Sequence, residues 1–200
     1  MAGTATTIRW WFLLAVLALA GCDLRPLPAP EDAGVVVLKM EGGHGSGWVF
    51  DSNSVITARH VADTNDLLVV VTSDGELYLV VRIVQAVTDA ARLYVDRPFA
   101  VRPLPVSRHT VRVRDRVEVV GTPKEAANTN AVMPGAVVKV GVHTHTTFSP
   151  VYVHYVDAHI NCGVSGGPVL YRGAVVGIAV LTNGYWTGFL PVTEFQDILR

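Results

Sequence analysis

The sequence carries little charge and no excess of either sign. Among its 200 residues, 16 Lys and Arg stand against 17 Asp and Glu, and charged residues make up 16% of the chain. A domain that binds nucleic acid through its surface usually presents an excess of basic residues. The balance of charges therefore argues against a nucleic-acid partner.

Long amphipathic helices are also missing from the sequence. No long stretch sustains apolar residues at a 3.6-residue interval, whereas short, valine-rich runs are separated by Gly and Pro. Such runs are typical of β-strands. Half of the residues are apolar, which is enough for a sizeable core. The sequence therefore predicts a mostly β protein with one domain or two closely packed halves.

The short β-like runs fall into two groups along the chain. The first group comprises Val35–Met40, Gly47–Asp51, Ser54–Ala58, Leu67–Thr72 and Leu77–Gln85. The second comprises Val111–Val113, Arg116–Val120, Ala136–Val142, Val151–Val156, Pro168–Leu170 and Ala174–Leu181. The proline-containing segment Asp96–Arg108 separates the groups, and only Val192–Leu199 has room for a short terminal helix.

The N-terminal region is typical of a targeting segment. Arg9 precedes an apolar run from Trp10 to Ala20, which is too short to span a bilayer. The run ends in Leu19-Ala20-Gly21-Cys22, which resembles the lipobox of bacterial lipoproteins, in which the cysteine receives the lipid. We therefore expect residues 1–21 to be a lipoprotein signal peptide. An ordinary secretory signal followed by a chance cysteine is the alternative interpretation.

Lipidation at Cys22 would attach the protein to a bacterial cell membrane, facing the periplasm or the cell exterior. Residues 22–33 would then form a proline-rich tether, because Pro26, Pro28 and Pro30 favour extended backbone. Since the sequence contains only one other cysteine, Cys162, no intramolecular disulfide could form, and core burial would have to stabilise the fold.

The motif with the strongest chemical signal is Gly163-Val164-Ser165-Gly166-Gly167-Pro168. Glycine can adopt backbone angles that other residues avoid, so the N–H groups of Gly163 and Ser165 can converge on one point. Upstream, Thr57-Ala58-Arg59-His60 ends an apolar strand, and Gly45-Ser46-Gly47 opens the strand before it. The two regions thus offer Ser165 as a candidate nucleophile and His60 as a candidate general base.

These motifs resemble those of the trypsin-like (chymotrypsin-fold) serine peptidases, and the nucleophile loop resembles the HtrA-type bacterial branch. The resemblance implies an all-β fold of two packed six-stranded antiparallel β-barrels, about residues 34–100 and 109–192, followed by a short C-terminal helix. The protease domain would span residues 34–200. We find no PDZ-like segment after it, so the peptide-sensing regulation of that branch is not carried over, and the oligomeric state stays open.

The resemblance also implies a catalytic triad of His60, Asp89 and Ser165. Asp89 opens the segment Asp89-Ala90-Ala91-Arg92-Leu93, which is similar to the family's Asp-x-Ala-x-Leu, with Arg92 acceptable if it faces solvent. Asp96 is the alternative carboxylate, but it lacks the small residues that follow Asp89. The order His, Asp, Ser along the chain is that of chymotrypsin rather than subtilisin.

The same alignment implies the remaining site residues. The Gly163 and Ser165 amides would form the oxyanion hole, and Val180, Leu181 and Thr182 would pair with an extended polypeptide substrate. His159 would lie near the floor of the specificity pocket with Leu190 and Val180. The chain would act as a serine endopeptidase through an acyl-enzyme, without a cofactor.

Two other functions are compatible with the sequence. His143 and His145 could point to one face of a strand near His154 and His159, as in a metal site, although no Cys or carboxylate completes the ligand set. Alternatively, the departures from the family pattern at Arg92, Cys162 and Val164 would suit a catalytically inactive, membrane-tethered binding module.

Overall fold

The computed structural model describes residues 34–64, 66–124, 130–145, 150–182 and 185–200, and the side chains of residues 143–145 and 150 lie outside the description. The predicted signal peptide and tether also fall outside the described residues. Within these ranges the chain is built from antiparallel strands and two short helical segments. The fold is therefore all-β, as predicted.

Six strands close into a first barrel in the order β1-β2-β3-β6-β5-β4. They are β1 (Val35–Met40), β2 (Gly43–Asp51), β3 (Ser54–Thr57), β4 (Val69–Val71), β5 (Leu77–Gln85) and β6 (Ala91–Val95). Leu38, Trp48, Ile56 and Leu93 are fully buried members of the apolar cluster that this barrel builds. Closure pairs both edges of the sheet and leaves no open edge strand.

Six further strands close into a second barrel in the order β10-β11-β12-β9-β8-β7. They are β7 (Arg116–Gly121), β8 (Ala131–His145), β9 (Pro150–Val156), β10 (Pro168–Tyr171), β11 (Ala174–Thr182) and β12 (Thr187–Pro191). Val119, Val169, Ala179 and Phe189 are fully buried in a separate apolar cluster. The prediction of two six-stranded antiparallel barrels is confirmed.

The segment between the barrels is hydrogen-bonded to both of them. The Leu104 N–H donates to the Val49 carbonyl of the first barrel at 3.0 Å. In the second barrel, the Val175 carbonyl accepts from the Ser107 N–H, and the Val175 N–H donates to the Pro105 carbonyl, both at 2.8 Å. These contacts fix the relative position of the two halves, and the site described below lies between them.

Two short helical segments complete the fold. Helix α1 (Arg59–Ala62) follows β3 directly, and a 3-10 helix (Val192–Ile198) with a kink at Phe195 ends the chain. Phe195 and Ile198 are buried in the same apolar cluster as the first barrel, so the predicted C-terminal helix is confirmed and packs across the barrels. Among the described residues, no helix is both long enough and apolar enough to cross a membrane.

Some strand predictions were wrong. Val111–Val113 is not a strand, because a turn follows at once: the Asp115 carboxylate accepts the Arg112 N–H at 2.8 Å, and Arg114 has a φ of 77°. Strands β6 and β12 were not predicted. Nearly every residue of both is buried, so neither shows the alternation that identifies a half-buried strand.

Arg92, which the family pattern would tolerate if it faced solvent, does not face solvent. Arg92 is 7% exposed, and its guanidinium donates to the Ile198 carbonyl at 3.0 Å and the Arg200 carbonyl at 2.9 Å. It also donates to the Ser54 hydroxyl at 3.0 Å and forms an ion pair with Asp51. The end of the chain covers this part of the first barrel, and a buried guanidinium is stable there because its donors are used.

Candidate active site

His60 lies in helix α1, immediately after the buried strand β3, and its side chain is 37% exposed. Its Nδ1 lies 2.9 Å from Oδ2 and 3.1 Å from Oδ1 of Asp89, and its backbone N–H donates to Oδ1 of Asp89 at 3.0 Å. A carboxylate at Nδ1 favours the tautomer in which Nε2 is the acceptor. The pair therefore presents a fixed imidazole with its basic nitrogen available.

Asp89 is held in a buried position by the residues that follow it. Its exposure is 4%, and Ala90 and Ala91 are fully buried, so the backbone packs closely beneath the carboxylate. The alternative, Asp96, accepts the Leu79 N–H at 3.0 Å and forms an ion pair with Arg97 at 3.5 Å. The structure thus brings Asp89 to His60 and engages Asp96 elsewhere.

The loop around Ser165 consists of two consecutive β-turns. The Val164 N–H donates to the Asn161 carbonyl at 3.4 Å, and the Gly167 N–H donates to the Val164 carbonyl at 2.9 Å. Each turn has a glycine as its third residue, with a φ of 98° at Gly163 and 84° at Gly166. A positive φ at that position defines a type II turn, which requires glycine. The Gly-x-Ser-Gly pattern is therefore explained by the turn geometry.

The Ser165 loop packs against the strands that lead to His60. The Ser165 carbonyl accepts the Ser46 N–H from β2 at 2.9 Å. A Cβ atom at Gly166 would lie 2.1 Å from Oγ1 of Thr57 and 2.7 Å from the backbone N of Ala58, so only glycine permits this approach. Ser165 is half-buried at the junction of the barrels. Within the described residues, no hydrogen bond joins its hydroxyl to His60; such contacts often tighten only when substrate binds.

Two N–H groups of the Ser165 loop have no acceptor in the described part of the chain. Within the described ranges, neither the Gly163 N–H nor the Ser165 N–H donates a hydrogen bond to the protein. The carbonyl of the peptide unit that carries the Gly163 N–H accepts instead from Lys124, at 2.7 Å. Since C=O and N–H point in opposite directions across a trans peptide, the Gly163 N–H points away from Lys124. The predicted oxyanion-hole donors are thus free to bind an anionic oxygen.

The predicted substrate edge, Val180 to Thr182, continues strand β11 past the Ser165 loop. Pairing between β10 and β11 ends at Pro168 and Ile178, and the Gly166 N–H then donates to the Ala179 carbonyl at 2.7 Å. Beyond Ala179, no strand of the described residues pairs with that side of β11. An extended peptide can add at this edge beside Ser165.

Two of the predicted pocket residues, Leu190 and Val180, lie in a different apolar cluster from the residues that flank His159. Leu190 is fully buried and Val180 is 7% exposed, and both belong to the cluster that packs against the terminal helix. Phe189, on the opposite face of β12, lies instead in the same cluster as Ala158 and Ile160, which flank His159. Side chains of a strand alternate between faces, so Leu190 and Phe189 point to opposite sides of β12, and both are fully buried.

Thr187 of β12 forms a hydrogen bond with the segment that carries His159. Its hydroxyl donates to the Ala158 carbonyl at 2.6 Å, and both groups are buried. His159 itself is exposed. Sequence analysis missed Thr187, because β12 was not predicted as a strand and its two faces could not be assigned.

The described residues do not form the metal site that the histidine pattern suggested. The side chains of His143 and His145 lie outside the description. Nδ1 of His154 accepts the Gly141 N–H at 3.1 Å, and its ring contacts Phe189 edge to face at 5.3 Å. Across the described part of the chain, no three His, Cys, Asp or Glu residues are grouped to hold a metal ion.

Comparison with known proteins agrees with this architecture. Residues 45–178 match the family model of the trypsin-like peptidase domain, a range that includes His60, Asp89 and Ser165. A protein of Arabidopsis thaliana named as mitochondrial protease Do-like 3 is 34% identical over 145 residues, which are 68% of this chain and 25% of that protein. The chain thus spans about a quarter of the length of this curated relative.

Solved structures share the fold. The Rv3671c protease of M. tuberculosis in its active form superposes with a TM-score of 0.75 at 20% identity, covering 84% of this chain and 80% of that chain. Its inactive form gives a TM-score of 0.73 at 20% identity, covering 84% and 88%. At this level of identity the likeness establishes the fold of two barrels.

Proposed function

This chain belongs to the trypsin-like peptidase family, and from that membership we propose that it is a serine endopeptidase that hydrolyses peptide bonds through an acyl-enzyme at Ser165. The observation that carries the proposal is the His60–Asp89 pair, with Nδ1 at 2.9 Å from the carboxylate, in a barrel whose strands contact the Ser165 loop. A buried carboxylate on a half-exposed imidazole is the arrangement that activates a serine hydroxyl.

In the proposed reaction, Nε2 of His60 takes the proton from the Ser165 hydroxyl as its oxygen attacks the substrate carbonyl. The N–H groups of Gly163 and Ser165 then hold the oxyanion, and Asp89 stabilises the imidazolium. His60 gives its proton to the leaving amine, and water hydrolyses the resulting ester by the same route in reverse. The reaction needs no cofactor.

The proposed substrate is an extended polypeptide. Its backbone would pair with Val180, Leu181 and Thr182 at the open side of β11. The side chain before the scissile bond would lie beside His159, which is exposed. The exposed imidazole of His159 suits an uncharged or acidic side chain at this position better than a basic one.

We further propose that the protein acts at a bacterial membrane, anchored by lipid at Cys22 after removal of residues 1–21. The proposal rests on the lipobox-like sequence and the proline-rich residues that follow it. A Cys22→Ser variant, expressed in a bacterial host, would move from the membrane fraction to the soluble fraction. The mass of the mature N-terminus would identify the attached acyl chains, and an unmodified Cys22 would contradict the proposal.

The experiment that tests the catalytic proposal is intact-mass analysis after treatment with a fluorophosphonate. We expect one adduct on residues 34–200 and none on the Ser165→Ala or His60→Ala variants. Ser52→Ala, a change at an exposed serine of the turn between β2 and β3, is the matched control and should keep the label. A folded wild-type domain that takes no label would favour the inactive binding module instead.

A further inference from the structure

Every carbonyl from Asn161 to Ser165 accepts a hydrogen bond. Four of these five bonds come from backbone N–H groups, so no side-chain substitution removes them directly. The exception is the Gly163 carbonyl, which accepts from the hydroxyl of Ser46 at 2.7 Å. Within the described residues, Ser46 therefore supplies the one side-chain donor to these five carbonyls.

The direction of the Ser46 hydroxyl is fixed by a second bond. Its oxygen accepts the Thr122 N–H at 2.8 Å, so its proton is available for the Gly163 carbonyl. Ser46 is fully buried, and water cannot replace it without rearrangement. A Cβ atom at Gly121 would lie 2.8 Å from the Ser46 oxygen, so glycine at 121 leaves the space that the hydroxyl occupies.

Ser46 also holds the second residue of the oxyanion hole. Its backbone N–H donates to the Ser165 carbonyl at 2.9 Å, and its own carbonyl accepts the Thr57 hydroxyl at 2.7 Å. One residue of the first barrel thus fixes the carbonyls of both Gly163 and Ser165 in the second barrel. Rotation of either residue would break a bond to Ser46.

We propose that Ser46 is a positioning residue that keeps the Gly163 and Ser165 amides directed at the oxyanion. It anchors the Gly163 carbonyl, which belongs to the peptide unit between the two units that carry these N–H groups. This inference rests on the proposed serine-protease function. Ser46 does not touch substrate; it acts through the backbone of the loop. Its loss should therefore impair transition-state stabilisation more than ground-state binding.

The test compares Ser46→Ala with wild type by the kinetics of fluorophosphonate labelling. We expect the limiting rate of labelling to fall by about 10- to 100-fold, because removing an oxyanion-hole donor outright costs about 100- to 1,000-fold. The half-saturating concentration should change by less than about threefold, since ground-state binding is retained. An unchanged limiting rate in a folded variant would overturn the proposal.

Ser54→Ala is the matched control. Ser54 is also fully buried, donates to the Asp51 carboxylate at 2.8 Å and accepts from Arg92 at 3.0 Å, but it does not contact the nucleophile loop. We expect it to lose stability while keeping the wild-type labelling rate. If Ser46→Ala fails to fold, Ser46→Cys replaces it, because the thiol has a similar shape but is a weaker donor than the hydroxyl. Its limiting rate should also fall below that of the wild type, and an unchanged rate would overturn the proposal. An equal loss of labelling in Ser54→Ala would assign the effect to general destabilisation and overturn the positioning role.

Amide hydrogen exchange separates this proposal from the proposed function. The exchange rate of residues 161–167 can be measured whether or not the wild type is labelled. We expect Ser46→Ala to raise exchange over this segment and Ser54→Ala to leave it unchanged. Unchanged exchange in Ser46→Ala contradicts the inference, whereas an unlabelled wild type with raised exchange in the variant contradicts only the catalytic function.

Discussion

Asp89 accepts two hydrogen bonds from a single residue, one from Nδ1 of His60 at 2.9 Å and one from the His60 backbone N–H at 3.0 Å. The carboxylate thereby fixes both the start of helix α1 and the orientation of the imidazole ring. Both the position and the tautomer of His60, the proposed general base, thus depend on the buried side chain of Asp89.

Asp89→Asn should reduce the labelling rate by about 10⁴-fold while the domain stays folded, because an amide at this position favours the wrong imidazole tautomer. The measurement is the second-order rate constant of fluorophosphonate labelling, with thermal unfolding as a check. Asp96→Asn is the matched control, since Asp96 contacts Leu79 and Arg97 rather than His60. Equal losses in both variants would show that Asp89 has no special role.

Cys162→Pro should preserve activity. Cys162 is the second residue of a type II turn, a position that favours proline, and within the described residues its N–H donates no hydrogen bond. The carbonyl that accepts from Lys124 is retained. We expect the free energy of unfolding to rise by about 0.4–1 kcal/mol in urea titration, because proline restricts the unfolded chain.

Gly163→Ala, in the same turn, should reduce activity, in contrast to Cys162→Pro. Its φ of 98° is unfavourable for alanine, and the added Cβ would lie 2.5 Å from both Nε2 of His44 and the Thr122 carbonyl. The turn must shift, so the labelling rate should fall by about 100- to 1,000-fold, as for loss of an oxyanion donor. Full activity in this variant would show that the Gly163 amide does not serve the oxyanion.

Features of the fold and site that depend on neighbouring residues could be predicted from the sequence, whereas features that depend on residues far apart in the chain could not. The Ser165 loop could be predicted because its two glycines encode turns that involve only adjacent residues. Arg92 could not be placed, because the carbonyls it binds belong to residues more than 100 positions away. The burial of Leu190 could not be predicted, because the register of β12 depends on pairing with β11 and β9, which composition does not specify.

Arg92→Met should destabilise the domain by about 2–4 kcal/mol, because it leaves the carbonyls of Ile198 and Arg200 and the side chain of Asp51 without their buried donor. Most of this cost is assigned to the carbonyls, since Asp51 is 42% exposed. The measurement is urea-induced unfolding.

Arg97→Met is the matched control for this change. Arg97 forms an ion pair with Glu76 at 3.1 Å, and both side chains are about half exposed. We expect its loss to cost less than about 1 kcal/mol. Similar costs for the two arginines would contradict the structural role of Arg92 at the end of the chain.

His154 should make the stability of the domain depend on pH between about 7.5 and 5. Burial of the imidazole lowers the pKa of His154, outweighing the backbone of Val153 and the nearby Glu194 carboxylate, which raise it. The unfolded chain therefore takes up a proton at a higher pH than the folded domain does. Stability is full above the ordinary histidine pKa and falls as the pH drops below it, by at most about 1.4 kcal/mol per pH unit.

This pH dependence is tested by urea titrations at several pH values of the wild type and of the His154→Gln and Glu194→Gln variants. His154→Gln should show a smaller loss of stability on acidification than the wild type, because its side chain does not titrate. Glu194→Gln should show a larger loss, because removing the carboxylate lowers the pKa of His154 further. Carboxyl groups contribute little above pH 5, so the window isolates the histidines. The assignment to His154 is contradicted if all three proteins lose stability in parallel, or if Glu194→Gln loses less than the wild type.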